Sequence, residues 1–160
     1  MGDEVTDLRK VFDDLVRFET ILWGSIDSRL QEECGIGLAG LNGMLVIHAT
    51  PLCRVLDIAQ AVAITVGGAS QAVDRLESAG LCIRRANPSD RRSSIVELTP
   101  EGDKLLGIAG PVFDRELERL LWSPLRRTAL AQLAETLSTL RQSVATQQVS
   151  HAASAESRRS

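Results

Sequence analysis

The sequence has no long hydrophobic run. None of its apolar stretches approaches the roughly 20 residues that a membrane-spanning helix needs. Its first residues are acidic, where a secretory leader would be basic and then apolar. We therefore expect a cytoplasmic protein. At 160 residues, with 44% hydrophobic and 24% charged residues, the chain has the size and composition of one ordinary globular domain.

Residue types that commonly carry catalysis or bind metals are scarce. The chain has two histidines and no tyrosine, and it contains neither H-E-x-x-H nor G-x-S-x-G. The sequence therefore lacks the motifs that metal-dependent hydrolysis and the α/β-hydrolase mechanism require. The three cysteines, Cys34, Cys53 and Cys82, lie far apart without metal-ligand spacing, which favours small buried thiols. The sequence predicts no catalytic residue, no metal and no cofactor, and hence not an enzyme.

One glycine pattern keeps an enzymatic alternative open. The segment Gly35-Ile-Gly37-Leu-Ala-Gly40 fits the dinucleotide-binding pattern G-x-G-x-x-G, and Asp57 follows near the expected distance. That fold requires a buried strand before the glycines, whereas residues 27–33 form a charged helical stretch. We interpret the glycines as a loop between two helices. A small nucleotide- or dinucleotide-dependent enzyme remains the alternative from a different functional class.

Residues 54–99 have the pattern of a motif that binds duplex DNA. Residues 54–80 predict two short helices joined by a tight turn, and residues 81–99 predict a β-hairpin with arginines at its tip. The expected buried positions are Ile58, Ala59 and Val62 on the first helix, Ala69, Val73 and Leu76 on the second, and Ile64 at the corner. A helix-turn-helix followed by a basic hairpin is the winged form of the DNA-reading motif.

The charge distribution is compatible with this interpretation. The chain carries a net charge of −3, but the four arginines and one aspartate between Arg84 and Arg92 give the hairpin a local charge of +3. DNA binding depends on where charge is placed more than on its sum. The overall acidity therefore does not exclude a nucleic-acid partner.

Three blocks of sequence carry a family resemblance. They are Asp74-Arg75-Leu76-Glu77 with Gly80-Leu81, then Asp90-Arg91-Arg92, then Leu98-Thr99-Pro100-Glu101-Gly102. In this order and without gaps they resemble the MarR (multiple antibiotic resistance regulator) family of bacterial transcription factors. The resemblance implies a mainly α (α+β) winged helix-turn-helix fold, with long N- and C-terminal helices that form the base of a triangular homodimer.

The flanking segments have the apolar periodicity of long helices. Residues 5–30 place one apolar stripe on a helix of about 40 Å, which this small domain cannot cover alone. Residues 38–49 predict a second helix. Proline-containing caps are expected at Thr99-Pro100 and at Ser123-Pro124. The last helix shows a coiled-coil seam formed by Leu130, Leu133, Leu137, Leu140 and Val144.

These patterns predict a single MarR-like domain spanning residues 1–160. Residues 1–50 and 100–146 are its helical dimerisation parts, and residues 51–99 are the winged helix-turn-helix lobe. From residue 147 the composition turns to Gln, Ser and Ala without apolar periodicity, and we expect a mobile tail over 147–160.

The second helix of the motif is expected to enter the major groove. Its DNA-facing residues are predicted to be Thr65, Val66, Gly67, Gly68, Ser70, Gln71 and Arg75. Thr65 is placed to cap the helix, Gln71 could pair bidentately with adenine, and Val66 could meet a thymine methyl. Two interpretations of the adjacent glycines stay open. Either they let the backbone approach a phosphate, or they belong to the turn because the helix starts later.

The hairpin arginines divide into two expected roles. Arg92 resembles the family arginine that enters the minor groove, and Asp90 is expected to hold it by an ion pair. Arg84, Arg85 and Arg91 are assigned to phosphates.

Family members commonly bind small aromatic or anionic molecules in a cleft between the dimer base and the DNA-reading lobe. The resemblance makes Arg17, Phe18, Trp23, Met44 and His48 candidates for such an effector site here. Each also has a structural interpretation, with Trp23 in the core and His48 as a hydrogen-bonded interior residue. Members that sense oxidants carry a cysteine near the start of the first long helix with tyrosines nearby. Cys34 lies near that helix's end, so redox sensing is not expected.

The function that follows is a DNA-binding transcriptional regulator, more in keeping with repression than with activation. We expect a homodimer on a pseudo-palindromic operator, with half-sites about one helical turn apart. The nearer alternative is a winged-helix adaptor that acts through protein contacts only.

Overall fold

The structure is a computed structural model that describes residues 7–90 and 92–157, with side chains described as far as residue 146. Its elements, in chain order, are α1 (Leu8–Cys34), α2 (Leu38–Ala49), α3 (Val55–Ala61), α4 (Val66–Ser78), β1 (Cys82–Ala86), β2 (Ser94–Leu98), α5 (Pro100–Leu117), a π-helical segment (Glu118–Trp122) and α6 (Arg127–Ser157). The chain divides into two compact units, one up to Glu116 and one from Leu117 onward. The mainly helical fold with one small two-stranded sheet confirms the predicted fold class.

The ends of α1 are set by capping residues rather than by its apolar stripe. The Asp7 carboxylate accepts hydrogen bonds from the backbone N–H groups of Arg9 and Lys10, at 3.0 and 3.3 Å. Gly35 ends the helix in the left-handed region, at φ 70°. The helix therefore runs Leu8–Cys34, whereas the stripe predicted residues 5–30. Val5 lies outside the described residues.

The first unit is built around α2, which is apolar on most of its surface and packs against α1, α3, α4 and β2. Its bounds are those predicted. The largest side chains buried in this core are Leu30, Leu41, Met44, Ile58, Val73 and Val96. The Asp27 carboxylate on α1 accepts the backbone N–H of Leu38 at 2.7 Å, which ties the start of α2 to α1.

Exposed apolar side chains cover much of the N-terminal half of α1. They are Leu8, Val11, Phe12, Leu15, Val16, Phe18 and Ile21, each between 44% and 77% exposed. Further along the same helix, Ile26 and Leu30 are fully buried. One helix thus passes from the core of its own unit to a surface that this unit leaves uncovered.

The second unit consists of the end of α5, the π-helical segment and α6. Along α6 the side chains of Leu137, Leu140 and Val144 are 41–53% exposed, so the predicted seam is uncovered within its own unit. The Ser123-Pro124 cap was predicted wrongly. The helix begins at Arg127, and the Ser123 hydroxyl instead donates to the carbonyl of Glu118 at 3.3 Å. Helix α6 continues to Ser157, past the end of the apolar periodicity, and the mobility expected of the tail stays a prediction.

Within the described part of the chain, no single helix is both long and apolar enough to cross a membrane. Helices α3 and α4 satisfy the length and composition test only when joined, and they are bent by 112° relative to each other.

Candidate nucleic-acid interface

The two predicted helices of the helix-turn-helix are formed, although Val62, which was expected to be buried, is only half-buried. The turn between α3 and α4 places Ala63 in the left-handed region, at φ 55°. The Thr65 hydroxyl accepts the backbone N–H of Gly68 at 3.1 Å, which confirms Thr65 as the N-cap of α4. Because α4 begins at Val66, Gly67 and Gly68 lie inside its first turn and not in the preceding loop.

The faces of α4 separate core residues from candidate DNA contacts. Ala69, Val73 and Leu76 are buried, as predicted. The residues at the opposite surface are Val66, Gly67, Gln71 and Arg75, which are exposed, with Gly68 and Ser70 half-buried at the edges. Ile64 was predicted to fill the corner, but its side chain is 45% exposed. The first turn of α4 thus presents Val66 and the backbone of Gly67 to solvent.

The wing is an antiparallel hairpin whose register pairs Arg84 with Val96 and Arg85 with Ile95. Its strand β2 is attached to the segment that precedes α3. The Val96 N–H donates to the Cys53 carbonyl at 2.7 Å, and Arg54 forms an isolated antiparallel bridge with Ile95. The segment before α3 therefore acts as a short third strand beside β2.

The ion pair predicted at the hairpin tip, between Asp90 and the Arg92 guanidinium, is not formed. The Asp90 carboxylate accepts the backbone N–H of Arg92 at 2.9 Å, so it shapes the turn and does not hold the guanidinium. Arg92 is exposed, and no described carboxylate lies within ion-pair distance of it or of Arg75. Arg91 lies outside the described residues, and its expected phosphate contact stays a prediction.

Arg84 is turned away from solvent and toward α4. Its guanidinium donates to Glu77 and Asp74, both at 2.6 Å, and to the Ser70 carbonyl at 3.3 Å. Burial alone would lower the pKa of Arg84, but the hydrogen bonds to Asp74 and Glu77 outweigh it and raise that pKa. These contacts favour a structural role over the phosphate contact assigned from the sequence.

Two other arginines of the lobe are also paired. Arg85 is 61% exposed and meets Glu97 of the same hairpin at 2.6 Å. Arg54, which the sequence analysis did not single out, donates its guanidinium to Asp57 at 3.2 Å. The hydrogen bond from Arg54 lowers the pKa of Asp57. Asp57 therefore serves the start of α3 and not a ribose.

Comparison with known proteins bears on this geometry directly. The family model described as MarR family matches residues 42–94, which contain the helix-turn-helix and most of the wing. The chain belongs to the MarR family. It is 33% identical to the HTH-type transcriptional regulator BilQ of Clostridium symbiosum over 96 residues, which are 60% of this chain and 66% of that protein.

Solved MarR-family structures share the fold over most of the chain. Sco3205 of Streptomyces coelicolor, solved in complex with DNA, superposes with a TM-score of 0.81 at 23% identity, covering 88% of this chain and 92% of that one. BpsR of Bordetella bronchiseptica, studied for regulation of its DNA binding by 6-hydroxynicotinic acid, gives 0.74 at 19% identity, covering 82% and 98%. At such identities the likeness establishes the fold.

A cavity of about 410 Å³ lies beside the DNA-reading helix of this MarR-family chain. It is lined mainly by apolar residues of α2, α3 and α4, together with Trp23, Asn42 and Arg75. Most of its lining, including Val46, Ile58 and Val62, was not proposed from the sequence. Those residues carry no signal that separates a cavity wall from a packed core. The exposed Ile64 is explained here, because it forms part of the cavity edge.

The structure brings only Trp23 of the five effector candidates into this cavity. Met44 is fully buried in the core, and Phe18 is 44% exposed on the uncovered face of α1. Arg17 is exposed and pairs with Asp13 at 2.8 Å. The structural alternative for His48 was a hydrogen-bonded interior residue, but its side chain is 64% exposed and faces Asp103 at 3.6 Å.

The glycine-rich segment has a helical context. Gly35 ends α1, Gly37 precedes α2, and Gly40 lies within α2. The element before these glycines is a helix, whereas dinucleotide binding requires a strand there. The interpretation as an interhelical loop is confirmed for Gly35 and Gly37. Among the described residues no cluster of three or more potential ligands could hold a metal ion.

Proposed function

We propose that this MarR-family chain is a transcriptional regulator that binds a pseudo-palindromic operator as a homodimer and represses by blocking access to the promoter. The observation that carries the proposal is the pairing of two exposed reading elements on one lobe. These are the capped first turn of α4, with Gly67 and Gln71 at its surface, and the wing arginine Arg92, which no described carboxylate neutralises. Such a protein would act in the cytoplasm, where bacterial DNA lies.

The two elements suit different grooves of duplex DNA. The start of α4 offers backbone N–H groups and the positive end of a helix dipole to a phosphate, while Gln71 can read an adenine edge. Arg92 at the hairpin tip fits a narrow minor groove, where the negative potential is enhanced. Gln71 is neutral, so this position contributes sequence reading without adding to the electrostatic attraction.

Dimerisation follows from the uncovered apolar face of α1. An apolar surface of this extent is unusual on a monomer and marks an interaction site. A second copy of the chain is the occupant we propose, because two-fold symmetry places two reading lobes on two half-sites of one operator. The exposed Leu137, Leu140 and Val144 of α6 supply a second apolar row of the kind that coiled-coil contacts use.

Regulation by a small molecule is proposed at the cavity beside α4. Its apolar walls would accept a ring or short hydrocarbon, and Arg75 at its edge would pair with an anionic group. A ligand that binds better to one arrangement of α4 than to another shifts the population away from DNA binding. The BpsR structure concerns such regulation by a pyridine carboxylic acid in that protein.

The experiment that tests the DNA-binding proposal is selection of bound duplexes from a random pool, followed by titration of the selected operator. Arg92→Ala should weaken binding about tenfold or more. Lys104→Ala, which removes the same charge from the exposed surface of α5, should not. A purified protein that enriches no sequence at moderate ionic strength, or an Arg92→Ala variant with unaltered affinity, would contradict the proposal.

The dimer is tested separately by placing charge on the uncovered face. Phe12→Glu combined with Leu15→Glu should shift the protein to monomers in analytical ultracentrifugation, because each side chain would be desolvated in the interface. Thr20→Glu adds one carboxylate, half the charge of the double variant, outside the apolar stripe and serves as control. A variant that remains dimeric at micromolar concentration would place the interface elsewhere.

A further inference from the structure

Arg84 makes a set of contacts that joins the wing to the recognition helix. Its guanidinium reaches Glu77 through one terminal nitrogen, and Asp74 and the Ser70 carbonyl through the other. Glu77 also accepts the backbone N–H of Arg84 at 3.0 Å. Strand β1 is therefore attached to α4 through both its main chain and its side chain, at three positions along two turns of the helix.

These contacts are placed where they can control the direction of the wing. The hairpin is held on the β2 side by the bond from Val96 to Cys53 and by the bridge between Arg54 and Ile95. Arg84 holds the β1 side at the same level of the hairpin, since it pairs with Val96 across the ladder. Without the Arg84 guanidinium, the hairpin would keep its own ladder and the backbone bond to Glu77 but lose the ion pairs with Asp74 and Glu77.

The neighbouring arginine shows that this arrangement is specific to one position. Arg85 has the same charge on the same strand, but it is 61% exposed and pairs with Glu97 inside the hairpin. The Arg84 side chain is 23% exposed. Successive strand residues point to opposite faces, so Arg84 faces α4 and Arg85 faces solvent.

We propose that Arg84 is a positioning residue that locks the wing to α4, so that Arg92 and the start of α4 engage their two grooves as one rigid unit. The inference rests on the proposed DNA-binding function and deepens it. Ion pairs of a guanidinium with two carboxylates, partly shielded from water, are directional and hold geometry better than an exposed pair. A phosphate at this guanidinium would have to compete with Asp74 and Glu77.

The proposal predicts energetic coupling between Arg84 and Arg92, measured by a double-mutant cycle on operator binding. In the wild type, Arg92→Ala should weaken binding about tenfold or more. In the Arg84→Gln protein, Arg92→Ala should weaken operator binding by less than about threefold, because a loosened wing has already lost most of its contact with the groove. Arg84→Lys should restore part of the coupling, since an ammonium group reaches one carboxylate but lacks the guanidinium fork.

Arg85→Gln is the matched control, because it removes the same charge from the adjacent position. It should leave the Arg92 penalty at about tenfold. A phosphate-binding Arg84 would behave differently. Its substitution would reduce the slope of log affinity against log salt by about 0.9 and leave the Arg92 penalty unchanged.

A measurement without DNA separates this inference from the proposed function. Amide hydrogen exchange in the turn between β1 and β2 should be at least about threefold faster in Arg84→Gln and in Glu77→Gln, and unchanged in Arg85→Gln. The proposal would be overturned if Arg92→Ala lost the same operator affinity with and without Arg84. Unaltered amide exchange in both Arg84→Gln and Glu77→Gln would overturn it as well. A wild type that selects no DNA sequence refutes the proposed function, while the exchange rates still decide whether Arg84 holds the wing.

Discussion

Gly67→Ala is a substitution for which the structure predicts opposite effects on stability and on DNA binding. Gly67 lies in the first turn of α4, exposed, with a backbone that alanine can adopt. A Cβ added there would meet no atom within 4 Å. Alanine should therefore stabilise the fold by about 0.4–1 kcal/mol, mainly by restricting the unfolded chain. For a chain of this length that corresponds to a rise in Tm of roughly 1–4 °C.

The expected effect on DNA binding has the opposite sign. If Gly67 is glycine because the start of α4 approaches the phosphate backbone closely, a methyl group pushes the helix away. Hydrogen bonds between amides and a charged phosphate then lengthen. Losing one of them costs about 1.5–3 kcal/mol, which is roughly a tenfold or greater loss of affinity. The variant would be more stable and bind its operator less well.

Gly107→Ala is the control for this experiment. Gly107 lies in the middle of α5, is exposed, and likewise has open space around an added Cβ. It should raise Tm by a similar amount and leave operator affinity unchanged. Tm must be compared at one protomer concentration, because dimerisation stabilises the fold by mass action. If Gly67→Ala is stabilised and still binds the operator with wild-type affinity, close approach is not the reason for this glycine.

Further predictions concern the core. A Cβ at Gly102 would overlap the carbonyl oxygen of Leu81, so Gly102→Ala should cost several kcal/mol and lower the urea midpoint, unlike Gly107→Ala. Burial raises the pKa of Cys53 and of Cys82 to about 11, so at pH 8 only about one thiol in a thousand is ionised and iodoacetamide should modify Cys34 first. These thiols ionise more readily in the unfolded chain, so burying them in the protonated form contributes fully to the free energy of unfolding below about pH 9. This contribution should fall as pH rises from 9 to about 11, and the protein should unfold at lower urea concentration over that range. Early adducts at Cys53 or Cys82 would contradict the burial.

The helix and hairpin pattern of the DNA-reading lobe was predictable because it rests on local rules. The α2 bounds followed from one apolar segment ended by Thr50-Pro51. The cap at Thr65 followed from the hydroxyl before the second helix. Apolar periodicity does not define helix ends as well as caps do, and α1 therefore begins and ends a few residues later than its stripe.

The roles of individual polar side chains were less predictable, because they depend on partners distant in sequence. Arg84 is separated from Ser70 by fourteen residues and meets it only because the hairpin folds back on α4. Asp90 was close enough in sequence to predict as a partner of Arg92, but it binds the backbone there. His48 and Met44 lie one helical turn apart on α2. Their opposite burial is decided by which neighbours cover that helix.

The cavity depends on the same kind of long-range information. Its walls come from four helices, and each contributes ordinary apolar residues whose sequence pattern is that of a core. Trp23 was a candidate only through the family resemblance. An exposed Ile64 beside a buried Ile58 distinguishes an opening from a packed interior, and that difference exists only in three dimensions.

Ion pairs within the lobe neutralise part of the positive charge of the wing. The sequence gives the hairpin four arginines, at positions 84, 85, 91 and 92, with Asp90 among them. In the folded lobe Asp74 and Glu77 lie against Arg84, and Glu97 lies against Arg85, so two of the four arginines are paired with carboxylates. Non-specific attraction to DNA grows with unneutralised positive charge, and Arg84 and Arg85 contribute little of it. Affinity must then come from placed contacts such as Arg92 and the start of α4, which favours discrimination between sequences over binding to any duplex.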